Sequence, residues 1–197
     1  MSIFDKLKKD AASAVTKAAQ SLGSTRETFT FAALPESLAE LQALPEAALD
    51  TPFQTAALSL CALCAYAADK QIGTEMLNWL RGPRPLSNQE ISFLNDRFRD
   101  GKTYVPFSYF KGATPDNDYT PSAPFTVTFF TNAYSDANEG YKKLLVESGG
   151  ADNPREIVLR MRGDGKWFLW DQFLLVGIRE PKSADPWACR PPKEEVR

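Results

Sequence analysis

Near residue 103 the 197-residue chain changes its hydrophobic period. Upstream, apolar residues recur at helical spacing. Downstream, β-branched and aromatic residues fill short runs, and the spacers carry Gly, Pro, Asn and Asp. A period of 3.6 demands a helix and a period of two demands a strand, so this switch limits the fold more than any total does. Helices followed by antiparallel strands read as the α+β class. The expected architecture is N-terminal helices, about four plus an accessory amphipathic helix, packed on a C-terminal antiparallel sheet of about five strands.

The helical part divides at its punctuation. Residues 2–22 carry Ile3, Phe4, Leu7, Ala11, Ala14, Val15, Ala18 and Leu22 on one stripe, with Ser2 as N-cap and Gly23 as stop. "SLGSTRE" then reads as a hinge, and "ETFTFAAL" (27–34) as a short strand. Helices are expected at 35–43, 52–69, 73–81 and 87–100. Pro35 and Pro52 suit first helical positions, and Ser87-x-x-Glu90 is a capping box. Strands are expected at 103–110, 124–132, 141–148, 155–162, 166–172 and 174–178. The domain reading is an accessory helix at 1–23, one α+β domain at 24–188 and an irregular tail at 189–197.

The strongest local signal is "REIVLRMRGDGKWFLWDQ". Asp164-Gly165 between alternating runs predicts a two-residue type I′ turn. Met161 then faces Phe168, Leu159 faces Trp170, and Ile157 faces Gln172 on an apolar side turned to the helices. The opposite side pairs Arg162 with Trp167, Arg160 with Leu169 and Val158 with Asp171. A solvated face on which Arg162 stacks on Trp167 accounts for this pattern. The sharper alternative is a binding surface built from Arg160, Arg162, Trp167 and Asp171, since exposed Trp and Arg anchor interfaces. Arg162-Gly163-Asp164 spells an integrin-type tripeptide, but the turn already accounts for its Gly and Asp.

Chemistry is limited by one absence: the chain contains no histidine. Ser-His-Asp and Cys-His nucleophilic sites are excluded, as are His-ligated zinc and iron sites. Cys61 and Cys64 have the C-x-x-C spacing, yet they fall inside an apolar helix rather than at its N-terminus, where thiolates are stabilised. With Cys189 as the one further cysteine, a four-ligand zinc site is not available, and the pair reads as core packing. No dinucleotide fingerprint, P-loop or nucleophile elbow is present, so no catalytic residue, metal ligand or cofactor is assigned. "DNDYTPSAP" (116–124) lacks the Gly and the closing acidic residue of a calcium loop. The aromatic residues from Tyr104 to Phe130 read as core, although a curved sheet under helices can enclose a small ligand.

The charge balance, 23 basic against 25 acidic residues, gives no general field for nucleic acid. No run of apolar residues is long enough for a transmembrane helix, and the N-terminus lacks the apolar core of a secretory signal. A cytoplasmic location is expected. The preferred reading is a non-enzymatic module that binds a protein partner or a small ligand. The alternatives are an enzyme with a His-free site using Asp, Tyr, Lys or Arg, and weak membrane-surface contact through residues 2–22.

The segment "DGKWFLWDQFLLVGIREP" and the later "DPW" resemble small bacterial domains of unknown function, over roughly residues 26–188. That resemblance implies no activity, cofactor or site residue. The helices-then-sheet order is also similar in topology to the cone-shaped nuclear-transport-factor-like fold. The early long hairpin of that fold is missing here.

Overall fold

The computed structural model of the chain describes residues 24–184 and Trp187. The accessory helix expected at 2–22, Cys189 and the tail at 189–197 lie outside the described residues. The first described element is a strand, β1 (Arg26–Phe31). Four α-helices follow among the described residues: α1 (Leu38–Ala43), α2 (Pro52–Ala68), α3 (Lys70–Arg81) and α4 (Asn88–Arg97). Strands β2 (Phe125–Phe130), β3 (Tyr141–Val146), β4 (Arg155–Met161) and β5 (Trp167–Gln172) complete one antiparallel sheet in the order β1-β2-β3-β4-β5.

This corrects the expected architecture. The helices are not an N-terminal block on a C-terminal sheet; β1 precedes them and forms one edge of the sheet. It pairs with β2 across almost the whole helical segment, from Arg26 opposite Phe130 to Phe31 opposite Phe125. The two strands share one alternation. Phe29 and Phe31 meet Val127 and Phe125 on the inner side, while Thr28 and Thr30 meet Thr128 and Thr126 on the outer side. The Thr28 and Thr128 hydroxyls lie 2.8 Å apart in a hydrogen bond. Matching patterns of this kind specify register where one face is buried.

Two further expected strands are absent as strands. Residues 103–110 form short 3-10 turns, because Pro106 starts one and Gly101 ahead of them takes a left-handed φ of 75°. Residues 174–178 form a turn whose Leu174 carbonyl accepts the Tyr109 hydroxyl at 2.5 Å. Their aromatic and aliphatic side chains still enter the core: Tyr109, Phe110, Leu174 and Leu175 are all buried.

Helix α2 is the centre of the molecule. Thr51 and Gln54 form a capping box around Pro52, and an unbroken run from Thr55 to Cys64 is buried. A helix apolar on every side must be surrounded, and α2 touches β2, β3, β4 and β5. Asp69 ends α2 and caps α3 by accepting the backbone N–H groups of Gln71 and Ile72. This cap starts α3 three residues before Gly73, where the sequence reading began it. Gly73 lies against the Tyr66 backbone so closely that any Cβ would overlap it, which is what lets α2 and α3 pack.

Candidate binding surface

The hairpin β4–β5 places the candidate site, and its turn differs from the expected one. Arg162 N–H donates to the Lys166 carbonyl at 2.8 Å, and Gly165 N–H to the Arg162 carbonyl at 2.9 Å. These bonds close a three-residue loop, Gly163 to Gly165. A type I′ turn needs positive φ at both central residues. Here Gly165 has φ 81°, and Asp164 has no positive φ. Asp164 instead holds the loop from within, accepting Lys166 N–H at 3.2 Å and pairing with Arg162. The Arg162 guanidinium holds the Asp164 carboxyl down at about 2.

The longer loop shifts the register by one at the turn end: Met161 meets Trp167, Arg160 meets Phe168 and Leu159 meets Leu169. A β-bulge between Val158 and Leu159 absorbs the shift, and Trp170 is the extra residue on β5. Beyond it Val158 meets Asp171 and Ile157 meets Gln172, as the alternation predicts. A one-residue slip flips faces, and a bulge re-aims side chains. Trp167 therefore shares the side of Leu159 and Leu169, while Phe168, Trp170 and Asp171 take the other side; both Trp167 and Phe168 are half-buried against the core, Phe168 through the turn at Gly82. The expected stacking of Arg162 on Trp167 is replaced by Arg162 over Phe168, 4.5 Å from its centroid.

The inner side of the hairpin is anchored by backbone. Trp167 N–H donates to the Leu49 carbonyl at 2.9 Å, and the Thr55 hydroxyl donates to the Trp167 carbonyl at 2.8 Å. Further along the same edge, Arg81 Nη1 donates to the Trp170 carbonyl at 3.3 Å. These bonds protect an edge strand that would otherwise pair with other chains.

Arg81 also builds the outer side. Its side chain is 5% exposed, donating through Nε to the Arg84 carbonyl at 3.0 Å and through Nη2 to Glu90 Oε1 at 2.6 Å. Burial pulls this guanidinium below its ordinary value, and Glu90 opposes the shift. Glu90 belongs to the capping box of α4, accepting Ser87 N–H at 2.8 Å. Burial alone would raise the Glu90 carboxyl; the Ser87 hydrogen bonds, Arg81 and Arg84 bring it below its ordinary value. Arg81 thus ties the end of α3, the start of α4 and β5 together. The turn between the helices, Gly82-Pro83, has no room for a side chain at Gly82, because the Phe168 ring lies against it.

That frame presents an aromatic ridge with cations on it. Tyr141 meets Trp170 edge to face at 5.4 Å. Arg84 lies over the Trp170 ring at 4.5 Å and Arg160 at 4.6 Å, and Arg160 also lies 5.1 Å from the Tyr141 ring. Trp170 separates two grooves. One, of about 690 Å³, runs over β3 to β5 past Val158 and Asp171 and carries the exposed rings of Tyr134 and Phe173. The other, of about 460 Å³, is lined by Arg81, Arg84, Arg160, Arg162, Phe168 and Met161, among others.

Of the residues singled out from sequence, Arg160, Arg162 and Asp171 share this outer side; Trp167 does not, and Trp170 stands where it was expected. Arg81, Arg84, Phe168 and Tyr141 were not anticipated. The available signal was "RGPRP", two arginines around a Gly-Pro break beside a helix end. Cys61 and Cys64 are free thiols within α2, 0% and 3% exposed, and burial pushes both thiols well above their ordinary value. The acidic loop at 116–118 is held internally: Asn117 Nδ2 donates to the Gly112 carbonyl at 2.8 Å and the Thr120 carbonyl at 3.1 Å. Among the described residues no helix is long and apolar enough to cross a membrane.

A helix-filled, five-stranded antiparallel meander with an aromatic-cationic outer face is an α+β domain that its geometry alone does not name. The chain matches the domain of unknown function family DUF6935 over residues 33–182, and it belongs to that family. Comparison with curated proteins and with solved structures returns no match.

Proposed function

We propose that this domain is a binding module and that the outer face of β3 to β5 is its binding surface. The observation that carries the reading is Trp170, placed outward by a bulge and held under Arg84 and Arg160 between two grooves. Aromatic and arginine side chains in well-supported positions are the usual anchors of recognition. The support is present: Arg81 bonds the strand behind the ridge through the Trp170 carbonyl and ties it to the Arg84 carbonyl and to Glu90. Exposed Tyr134 and Phe173 extend the apolar part of the face, and Met161, opposite Trp167 at the turn end of the hairpin, lines the rim of the smaller groove.

The test uses uncharged aromatic probes, phenol and indole, titrated into ¹⁵N-labelled protein. The expected result is saturable shifts of the Trp170 indole and of backbone amides along β3 to β5. Shifts concentrated elsewhere, or spread evenly over the surface, would overturn the assignment.

A further inference from the structure

The groove beside Trp170 is lined by four arginines and by no acidic residue. This stands against a chain whose net charge is −2. The four guanidinium groups are not equally engaged. Arg81 is engaged by Glu90 and two carbonyls. Arg162 is paired with Asp164 in its own loop. Arg84 reaches Glu90 Oε1 only at 3.5 Å, on an oxygen that Arg81 already holds at 2.6 Å. The Arg160 side chain makes no hydrogen bond or ion pair among the described residues; its contacts are the rings of Tyr141 and Trp170.

A guanidinium carries five N–H donors in a fixed plane. Stacking on a ring restricts that plane and leaves its edge open. Arg84 and Arg160 each contact the Trp170 ring and both line the groove, so their open edges offer it donors suited to the oxygens of a carboxylate or phosphate. The neighbouring wall, Phe168 with Met161 at 46% exposure, is apolar. A volume of about 460 Å³ suits a small molecule better than a folded partner.

We infer that this groove binds a small molecule with an oxyanion on an aromatic or apolar body, the oxyanion held by Arg160 and Arg84 and the body resting on Phe168 and Met161. The inference rests on the outer face being the binding surface, and it adds the chemical class of the ligand.

Phenyl phosphate, benzoate and phenol distinguish the alternatives when titrated by ¹H–¹⁵N spectra that include the Arg Nε–H signals. Phenyl phosphate should bind at least tenfold tighter than phenol, shift the Arg84 and Arg160 Nε–H signals, and weaken as salt is added. Arg160→Ala should lose that advantage, and Arg160→Lys should recover only part of it, because a point charge lacks the planar fork. Both substitutions should change phenol binding less than they change phenyl phosphate binding, since phenol offers the guanidinium no charge to hold. Benzoate matching phenyl phosphate assigns a general oxyanion site; a clear preference for phenyl phosphate assigns a phosphate site. If phenol binds at Trp170 and phenyl phosphate binds no tighter, the oxyanion inference falls and the binding surface stands. If no probe moves the Trp170 signal, both fall.

Discussion

The two sides of one hairpin obey different rules. On the inner side Ile157, Leu159 and Leu169 are buried against α2, and the buried polar group that meets this side, the Thr55 hydroxyl, is satisfied by the Trp167 carbonyl. On the outer side Arg160, Phe168 and Trp170 occupy the same strands and meet Arg84, Arg162 and the turn at Gly82. Burial of apolar surface is non-directional, so the inner side needs only the right alternation. The outer side depends on geometry: a bulge, a glycine with no room for Cβ, and a buried arginine bonded to a turn, a helix and a strand. The outer side is thus where the hairpin departs furthest from simple alternation.

The largest expected effect sharpens this contrast. Trp167→Ala removes an inward ring and should cost about 3 kcal/mol, toward the low end for large-to-small core changes because the ring is only partly covered. Trp170→Ala removes two cation–π contacts and one edge-to-face contact, together about 1.5 kcal/mol. Denaturant unfolding of the two variants checks the order. The reverse order would mean that the faces are assigned the wrong way round.

Arg81→Met comes next. It leaves Glu90 without its main partner and the Trp170 and Arg84 carbonyls without a donor, at about 2 kcal/mol. The fold should survive, with the outer face loosened. A loss of probe binding larger than the loss of stability would show Arg81 acting through the site's geometry.

A smaller effect concerns pH. Glu90 sits below its ordinary carboxyl value of 4.5, so the folded protein binds that proton less readily than the unfolded chain does. Its contribution is present above that ordinary value and is lost as pH falls through the lower folded value. Glu90→Gln should therefore be less stable than the parent at neutral pH, and the gap should close on acidification. Urea midpoints measured from about pH 6 down to about pH 3 would show it. A constant gap would mean that the carboxylate is not what stabilises the clamp.

Much of the inner side was legible in the sequence. Ser87 and Glu90 announce the start of α4, Thr51 and Pro52 that of α2, and the far end of the hairpin has Ile157 opposite Gln172 as alternation requires. The cysteine spacing was rightly subordinate to its setting, since α2 buries both thiols. The outer side was harder to read for a specific reason. Glycine stands on both sides of Asp164, so a two-residue and a three-residue loop fit the same letters. The choice depends on whether Arg162 or Lys166 closes the ladder, and on a bulge at Trp170 that no local pattern marks. Likewise β1 is a plausible strand on its own letters, but its place at the sheet edge is set by pairing with β2. Such pairing is non-local, and periodicity does not report it.

The central claim is that the outward tryptophan, and not the inward one, belongs to the binding surface. The most direct measurement follows the indole N–H signals of Trp167 and Trp170, assigned with Trp167→Phe and Trp170→Phe, while phenyl phosphate is added. The account predicts that the Trp170 signal moves to saturation and the Trp167 signal stays in place. Movement of Trp167 with a stationary Trp170 would contradict it.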